Sequence, residues 1–301
     1  MKTLLIGYGS IGKRHEEVLL DLGHAIDIIS SQEIREKTVY KNLSDVKDLK
    51  SYDYYVIASP TYKHYEQLKY LESEVAKKTI FCEKPLFEEH KTLEVSNNSV
   101  YVGYVLRFHP LLEKLKMMLK KEKILSINVN SGQYLPTWRV GSDYRDSYSA
   151  KKSEGGGVLL DLSHEIDYMQ WLCGTIVELK SYQVKISDLE IDSDDMTTFI
   201  GKTLSGILVN LSVDYISKIV HREIILHTVN FTYILDFINN TLQVKDKSGN
   251  EELFESKNLE RNEMFTNMHK AIMAKKQNVC TYSDGVNVMK TILKIQEQNN
   301  E

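Results

Sequence analysis

The hexapeptide GYGSIG at 7–12 constrains this chain more than any other stretch. It follows the apolar run TLLI and leads into a segment of helical periodicity, so it reads as a strand–turn–helix junction and not a stray glycine cluster. In such a junction Gly7 makes the tight turn, Gly9 lets backbone approach a pyrophosphate, and Gly12 lets helix pack on strand. The helix N-terminus, with Ser10 and Ile11 in its first turn, then faces the phosphate charge. These residues predict a dinucleotide-binding unit.

The surrounding pattern agrees. TLLIG, AIDIIS, YYVIAS, TIFCE and VYVGY are short apolar runs, and segments of helical periodicity at 13–22, 62–73 and 88–96 separate most of them. That alternation predicts a doubly wound parallel sheet with helices on both faces. After about residue 122 the period changes to two, in ILSINVNSG, MTTFIGKT, GILVNLSVDY, REIILHTVN, TYILDFI and TLQVKD. A mostly antiparallel sheet follows, interrupted by one long helix over 157–172 and closed by helices near 261–277 and 283–297. A chain of 301 residues exceeds one ordinary core. The expected organisation is a Rossmann domain at 1–118 and an α+β domain at 119–301, with helices on one face of its sheet, for substrate binding and oligomerisation.

The second strand is where the adenosine ribose is read. An Asp or Glu at its end selects NAD. Here AIDIIS ends in Ser30 and Ser31, with Glu33 beyond and Arg35 and Lys37 nearby. Serine does not repel a 2′-phosphate, which leans toward NADP, but Glu33 could reverse this, and NAD or NADP stays open.

The segment GGGVLLDLSHEIDYMQWL at 155–172 raises a different question. At about 100° per residue, Asp161, His164, Glu165 and Tyr168 fall within an arc of roughly a quarter-turn. Leu159, Leu162, Ile166, Met169 and Cys173 form a separate buried stripe. The polar stripe is either a solvated face or part of a site. A zinc-protease HExxH would need histidine where Tyr168 stands, and no nucleophile-elbow sequence appears. Cys82, Cys173 and Cys280 lack metal-ligand spacing and read as buried thiols, so no metal is expected. One irregular stretch, 132–154, is long for a loop without a role. It carries Tyr134, Trp138, Arg139, Tyr144 and Arg145, which suit either a sugar ring bearing an anionic group or an oligomer contact.

With these residues in hand, the chain resembles the glucose–fructose oxidoreductase/inositol dehydrogenase (Gfo/Idh/MocA) family. The resemblance rests on GYGSIGKRH at 7–15, ASPTYKH at 58–64, EKP at 83–85, GYVLRFHP at 103–110 and GGGVLLDLSHEID at 155–167. It implies that Lys84 is the catalytic lysine, with Pro85 shaping its turn. It places Pro60, Thr61 and Glu83 at the cofactor, Arg107 at the substrate, and Asp161 and His164 among the catalytic groups. One departure stands out. The family pattern is D-x-x-x-H, whereas DLSHE brings His164 one position closer and puts Glu165 at the usual histidine place. Histidine cycles protons near neutral pH, which favours His164.

The expected function is NAD(P)-dependent hydride transfer at a carbinol or keto carbon of a sugar or sugar derivative. The resemblance extends to bacterial surface-sugar biosynthesis. An NAD-dependent glycosidase working by transient oxidation and elimination, or a non-catalytic sensor, are the alternatives. Net charge of −4 gives no general pull toward nucleic acid or an anionic membrane. The apolar run before Gly7 is too short for a secretory signal, so a cytoplasmic location is expected. A homodimer or homotetramer is expected from the resemblance.

Overall fold

The structure, a computed structural model, describes residues 1–34, 37–139, 141–257, 259–260 and 262–298. Arg35 lies outside the described residues. The chain divides into two compact units, Met1–Phe108 with Glu260–Val286, and His109–Leu259 with Asn287 onward. No helix among the described residues is long and apolar enough to cross a membrane.

The first unit holds β1 (Lys2–Ile6), α1 (Ser10–Asp21), β2 (Ala25–Ile29), β3 (Val39–Tyr40), β4 (Tyr54–Ile57), α2 (His64–Glu74), β5 (Thr79–Cys82) and β6 (Ser99–Val102). All are parallel, in the order β6-β5-β4-β1-β2-β3, and the short strand Cys280–Thr281 adds antiparallel to β6. Leu4, Leu5, Ile6 and the whole of Tyr54–Ile57 are fully buried, as strands covered on both faces must be.

Two expectations fail here. Residues 88–96 do not form a helix but run as irregular chain into β6. Glu72 explains how that chain is held: its carboxylate accepts the amides of Ser96 and Asn97 and the side chain of Asn98. Those donors are satisfied by a buried acid instead of a helical ladder. A single domain cut near 118 is also replaced by a returning segment. The helix Glu263–Met273 packs Phe265, Met268 and Ile272 among Leu5, Val18, Tyr54 and Phe81, completing the core of the parallel sheet.

The second unit is an eight-stranded sheet. Its strands are β7 (Ile124–Gly132), β8 (Ile176–Val184), β9 (Met196–Thr203), β10 (Leu208–Asp214), β11 (His221–Thr228), β12 (Phe231–Asp236), β13 (Thr241–Asp246) and β14 (Glu251–Glu255). They lie in the order β14-β13-β12-β11-β7-β10-β9-β8, antiparallel except for β7 with β10. Alternation sorts the two faces: Val209, Leu211 and Val213 are buried, while Leu208 and Asn210 on the opposite face are exposed. Helices α3 (Pro110–Met118), α4 (Val158–Asp161) and α5 (His164–Cys173) belong to this unit.

The expected helix over 157–172 is thus two helices. At the break, Ser163 donates to Leu160 O at 3.4 Å and Glu165 to Leu162 O at 3.2 Å. These i→i+3 bonds make a tightened 3₁₀ turn between α4 and α5.

Several buried histidines set the acid stability. Burial holds the pKa of His24, His64, His109 and His269 below the ordinary 6.5. Such groups stay neutral when folded but take up protons when unfolded. Their stability contribution is complete above pH 6.5 and is lost as pH falls below it toward the depressed folded pKa, by up to about 1.4 kcal/mol per pH unit for each histidine. Calorimetry across pH 7.5 to 5 should therefore show Tm falling steadily on the acid side, and a flat profile would contradict the neutral, buried assignment.

Candidate functional site

In the first unit the three loop glycines have different reasons to be glycine. Gly7 has φ +100°, and a Cβ there would lie 2.5 Å from Ser59 N and 2.6 Å from Ala58 O. A Cβ on Gly12 would lie 2.3 Å from Gly7 O. Both are demanded by the packing of the chain on itself. Gly9 is not: its φ of −76° suits any residue, and a Cβ there would meet nothing within 4 Å. Space is kept clear beside the N-terminus of α1, where a pyrophosphate would sit on Ser10, Ile11 and the helix dipole. These residues fit a dinucleotide.

The adjoining cleft is lined by Gly7, Ser30, Ser31, Lys41, Ser59 and Lys63, among others, and no carboxylate lines it among the described residues. Ser30 is buried and accepts the Gln32 amide at 3.0 Å. Lys41, which sequence reasoning missed, donates to Ser31 O at 3.1 Å and so brings an ammonium to the end of β2. Lys37 does not serve there, because it is engaged with Glu16 and Tyr8. Pro60 and Thr61 follow β4 at the same edge of the sheet, Pro60 capping the short turn that leads into α2.

Lys84 follows β5, again at the carboxyl edge, and its peptide bond to Pro85 is cis. Its neighbours are held from two sides. Glu83 Oε1 accepts His15 Nε2 at 2.8 Å, and Oε2 accepts the Lys84 amide at 3.0 Å. His64 is 1% exposed; burial pushes its pKa down, and the neutral ring donates Nε2–H to Ser59 O at 2.9 Å. Its Nδ1 lies 3.2 Å from Pro85 O. Two of the expected site residues are engaged within the fold. Glu83 was expected at the cofactor, but both its carboxylate oxygens are taken within the fold. Arg107 was expected at the substrate, but it is 3% exposed and donates to Val279 O and Asp284, each at 3.3 Å. It fastens the returning segment.

In the second unit, Asp161 is 6% exposed and accepts from Ser149 Oγ at 2.6 Å and Tyr215 OH at 2.5 Å. Burial first, and then the Asp161 charge, pushes the pKa of Tyr148 and Tyr215 up, so both phenols stay protonated. The described residues of 132–154 include a series of short 3₁₀ turns that packs onto this cluster. Trp138 meets Tyr215 edge-on, with ring centroids 5.1 Å apart, and Arg139 lies over the Tyr148 ring at 5.3 Å. Tyr134 carries Lys218 over its ring at 4.2 Å. Tyr144 OH accepts the Glu190 amide at 3.1 Å, and Arg145 is spent on Asp143 and Glu190. Tyr148, Ser149 and Tyr215 had no local sequence signal; Tyr215 lies 54 positions from the acid it holds.

The polar stripe of 155–172 separates into two directions. Glu165 is fully buried and pairs with Arg222 Nε at 2.7 Å, so it does not share a face with Asp161 as a regular helix required. His164 is only half-buried.

A family model for the oxidoreductase family, NAD-binding Rossmann fold, matches residues 1–101, and one for the GFO/IDH/MocA C-terminal domain matches residues 119–228. The chain belongs to the Gfo/Idh/MocA oxidoreductase family. No curated protein matches significantly. Among solved structures, a levoglucosan dehydrogenase in complex with NADH and levoglucosan is 17% identical, with a TM-score of 0.84 over 100% of this chain and 97% of that one. UDP-N-acetylglucosamine 3-dehydrogenase from Acidithiobacillus ferrooxidans is 17% identical, with a TM-score of 0.79 over 99% and 97%. An oxidoreductase from Agrobacterium radiobacter in complex with NAD⁺, L-tartaric acid and magnesium is 15% identical, with a TM-score of 0.83 over 100% and 96%. At these identities the likeness establishes the Gfo/Idh/MocA fold.

The glycines separate packing from binding experimentally. Gly12→Val forces a side chain into backbone and should lower Tm of the free protein. Gly9→Val should leave the free protein's Tm unchanged yet weaken dinucleotide binding by at least a few kcal/mol, because only a ligand occupies that space. Thermal melts with and without NADH or NADPH check this, and an unaltered ligand-induced rise in Tm for Gly9→Val would refute it.

Proposed function

We propose that this protein is an NAD(P)-dependent dehydrogenase or reductase of a sugar or sugar derivative. The observation that carries the reading is the clear space at Gly9, on the same sheet edge that presents Lys84. When bound, the nicotinamide takes or gives the hydride. The chain's own groups handle the accompanying proton. Lys84 receives the hydroxyl proton as the carbon is oxidised and returns it in the reverse direction, and His164 shares that work. Asp161, fixed by Tyr215 and Ser149, orients His164 or a substrate hydroxyl.

Tyr134, Trp138, Arg139 and Tyr144 are the proposed ring-contacting residues. The names of the similar structures, dehydrogenases of levoglucosan and UDP-N-acetylglucosamine, support a sugar substrate. Arg139 is the guanidinium we assign to an anionic group on it, as an acidic bacterial surface sugar would carry, since Arg145 is already neutralised. The exposed Ile200 and Tyr182 of the large sheet fit association into a homodimer or homotetramer. Three free, buried cysteines fit a cytoplasmic setting.

A panel of free and nucleotide-linked sugars, tested with NAD⁺ and NADP⁺ by reduced-nicotinamide absorbance and product analysis, tests the activity. Release of an aglycone without net cofactor reduction would assign the glycosidase chemistry instead. Lys84→Ala should lower turnover by roughly two to four powers of ten with cofactor affinity kept, and His164→Ala by less. Glu165→Ala should act differently, destabilising the fold by about 3 kcal/mol because Arg222 loses its buried partner. If turnover per folded molecule falls most in Glu165→Ala, the assignment to His164 is wrong.

For the cofactor we favour NADP(H), since Ser30, Ser31 and Lys41 line the cleft at the end of β2 and no carboxylate does among the described residues. Lys41→Ala should weaken NADPH by about tenfold, the size of one charge-assisted phosphate contact, and leave NADH within about twofold. Equal loss for both nucleotides would remove Lys41 from the 2′ site.

A further inference from the structure

A buried hydrogen-bonded chain ends at the lysine loop. Tyr54 OH lies 2.9 Å from His269 Nδ1, His269 Nε2 lies 2.8 Å from His15 Nδ1, and His15 Nε2 lies 2.8 Å from Glu83 Oε1. Tyr54, His15 and His269 are all 0% exposed. A carboxylate only accepts, so His15 Nε2 carries the hydrogen that Glu83 receives. His269 Nε2–H then satisfies His15 Nδ1, and the tyrosine hydroxyl satisfies His269 Nδ1. Every donor points toward Glu83, and no charge is needed on either ring, which burial of His269 independently favours.

This chain cannot conduct protons, because it terminates at a tyrosine sealed from solvent. What it fixes is the Glu83 carboxylate, whose second oxygen holds the Lys84 amide. The fold keeps room for that carboxylate: a Cβ on Gly103 would lie 3.0 Å from Glu83 Oε2. Residues of the glycine-loop helix, the lysine loop, the start of GYVLRFHP and the returning helix thus converge on one acid. We propose that His15 is a positioning residue for Lys84, acting through Glu83 to hold the peptide from which the lysine side chain projects. Its catalytic consequence rests on the reading of Lys84 as a reacting group.

The two ring nitrogens can be tested apart. A glutamine amide nitrogen reaches the place of Nε2, whereas asparagine reaches only the place of Nδ1. His15→Gln therefore keeps the donor to Glu83 and loses His269; His15→Asn does the reverse; His15→Phe loses both and keeps the ring. Hydrogen exchange of the full-length protein, read at the Lys84 amide, should accelerate about tenfold or more in the Phe and Asn variants. The Gln variant should remain within about threefold of the parent, and amides of Ile80–Cys82 should be unchanged in all three. Equal acceleration in Gln and Asn, or acceleration throughout β5, would mean that His15 only supports the core, and the proposal would be wrong. Should the His15 variants not fold, Glu83→Ala replaces them: it removes the acceptor of the Lys84 amide and the partner of His15 together, so Lys84 exchange must rise, and unchanged exchange overturns the proposal. With a turned-over sugar in hand, kcat should fall in the order of the exchange rates while KM for the nucleotide holds. An intact Gln–Asn split in a protein that oxidises no sugar would sink the proposed function and leave the positioning role standing.

Discussion

Between Gly7 and the peptide joining Ala58 to Ser59 there is no room for a methyl group. The rest of the nucleotide-binding unit depends on that approach. β1 pairs with β2 on one side and β4 on the other, in parallel register Ile6↔Ile29 and Ile6↔Ile57. From β1 the chain winds outward through β2 and β3, and from β4 it winds the opposite way through β5 and β6. The loops leaving β1 and β4 therefore depart to opposite faces, and a crevice opens where the winding reverses. A side chain at position 7 would push the two loops apart and move α1 off its strand. Glycine there is a condition of the crevice existing, and the open position at Gly9 is what the crevice is then free to hold.

The lysine loop is braced by the same economy of means. His15 comes from the glycine-loop motif and donates to Glu83, while His64, from the motif after β4, is bonded to Ser59 O and lies beside the carbonyls of Pro85 and Leu86. At His15 imidazole suits this work because one rigid ring offers a donor to Glu83 and an acceptor to His269. An amide side chain spans less, and a lysine or arginine would bring a charge that burial penalises. The choice has a consequence for stability at His64: a ring held neutral by burial is a liability in acid, since unfolding releases it to take up a proton.

What was legible in the sequence divides along a physical line. Period-two strands in which one face is buried were readable almost to the residue, as ILSINVNSG, MTTFIGKT and TLQVKD show against β7, β9 and β13. Their pattern is local and their partner is whatever apolar layer lies beneath. The glycine loop was readable because its meaning is also local. Residues whose role is fixed by a distant partner were not. The helical period at 88–96 gave no hint that Glu72 would capture the amides just beyond it. Nothing near Glu165 announces Arg222, which is 57 positions away, and nothing near Arg107 announces Asp284. Apolar pattern reports burial well, but it does not say which polar group a buried charge will meet.

The shortened spacing between Asp161 and His164 shows how a local change of helix type absorbs a missing residue. Four residues of α-helix advance about 6 Å and turn about 400°, bringing side chains at i and i+4 nearly into line. Three residues of 3₁₀-helix advance about the same 6 Å and turn about 360°. The i→i+3 bonds at Ser163 and Glu165 tighten the chain just where the sequence is one residue short of the family pattern. A 3₁₀ turn has poorer hydrogen bonds than the α-helix it replaces, and the two hydroxyls on Asp161 offset part of that loss by anchoring the turn's first residue. The residue displaced by the change is Glu165. It faces β11 instead of the Asp161 cluster, and a cation beneath makes that burial tolerable. Arg222 on β11 supplies it. The Glu165–Arg222 ion pair thus accompanies the shortened motif.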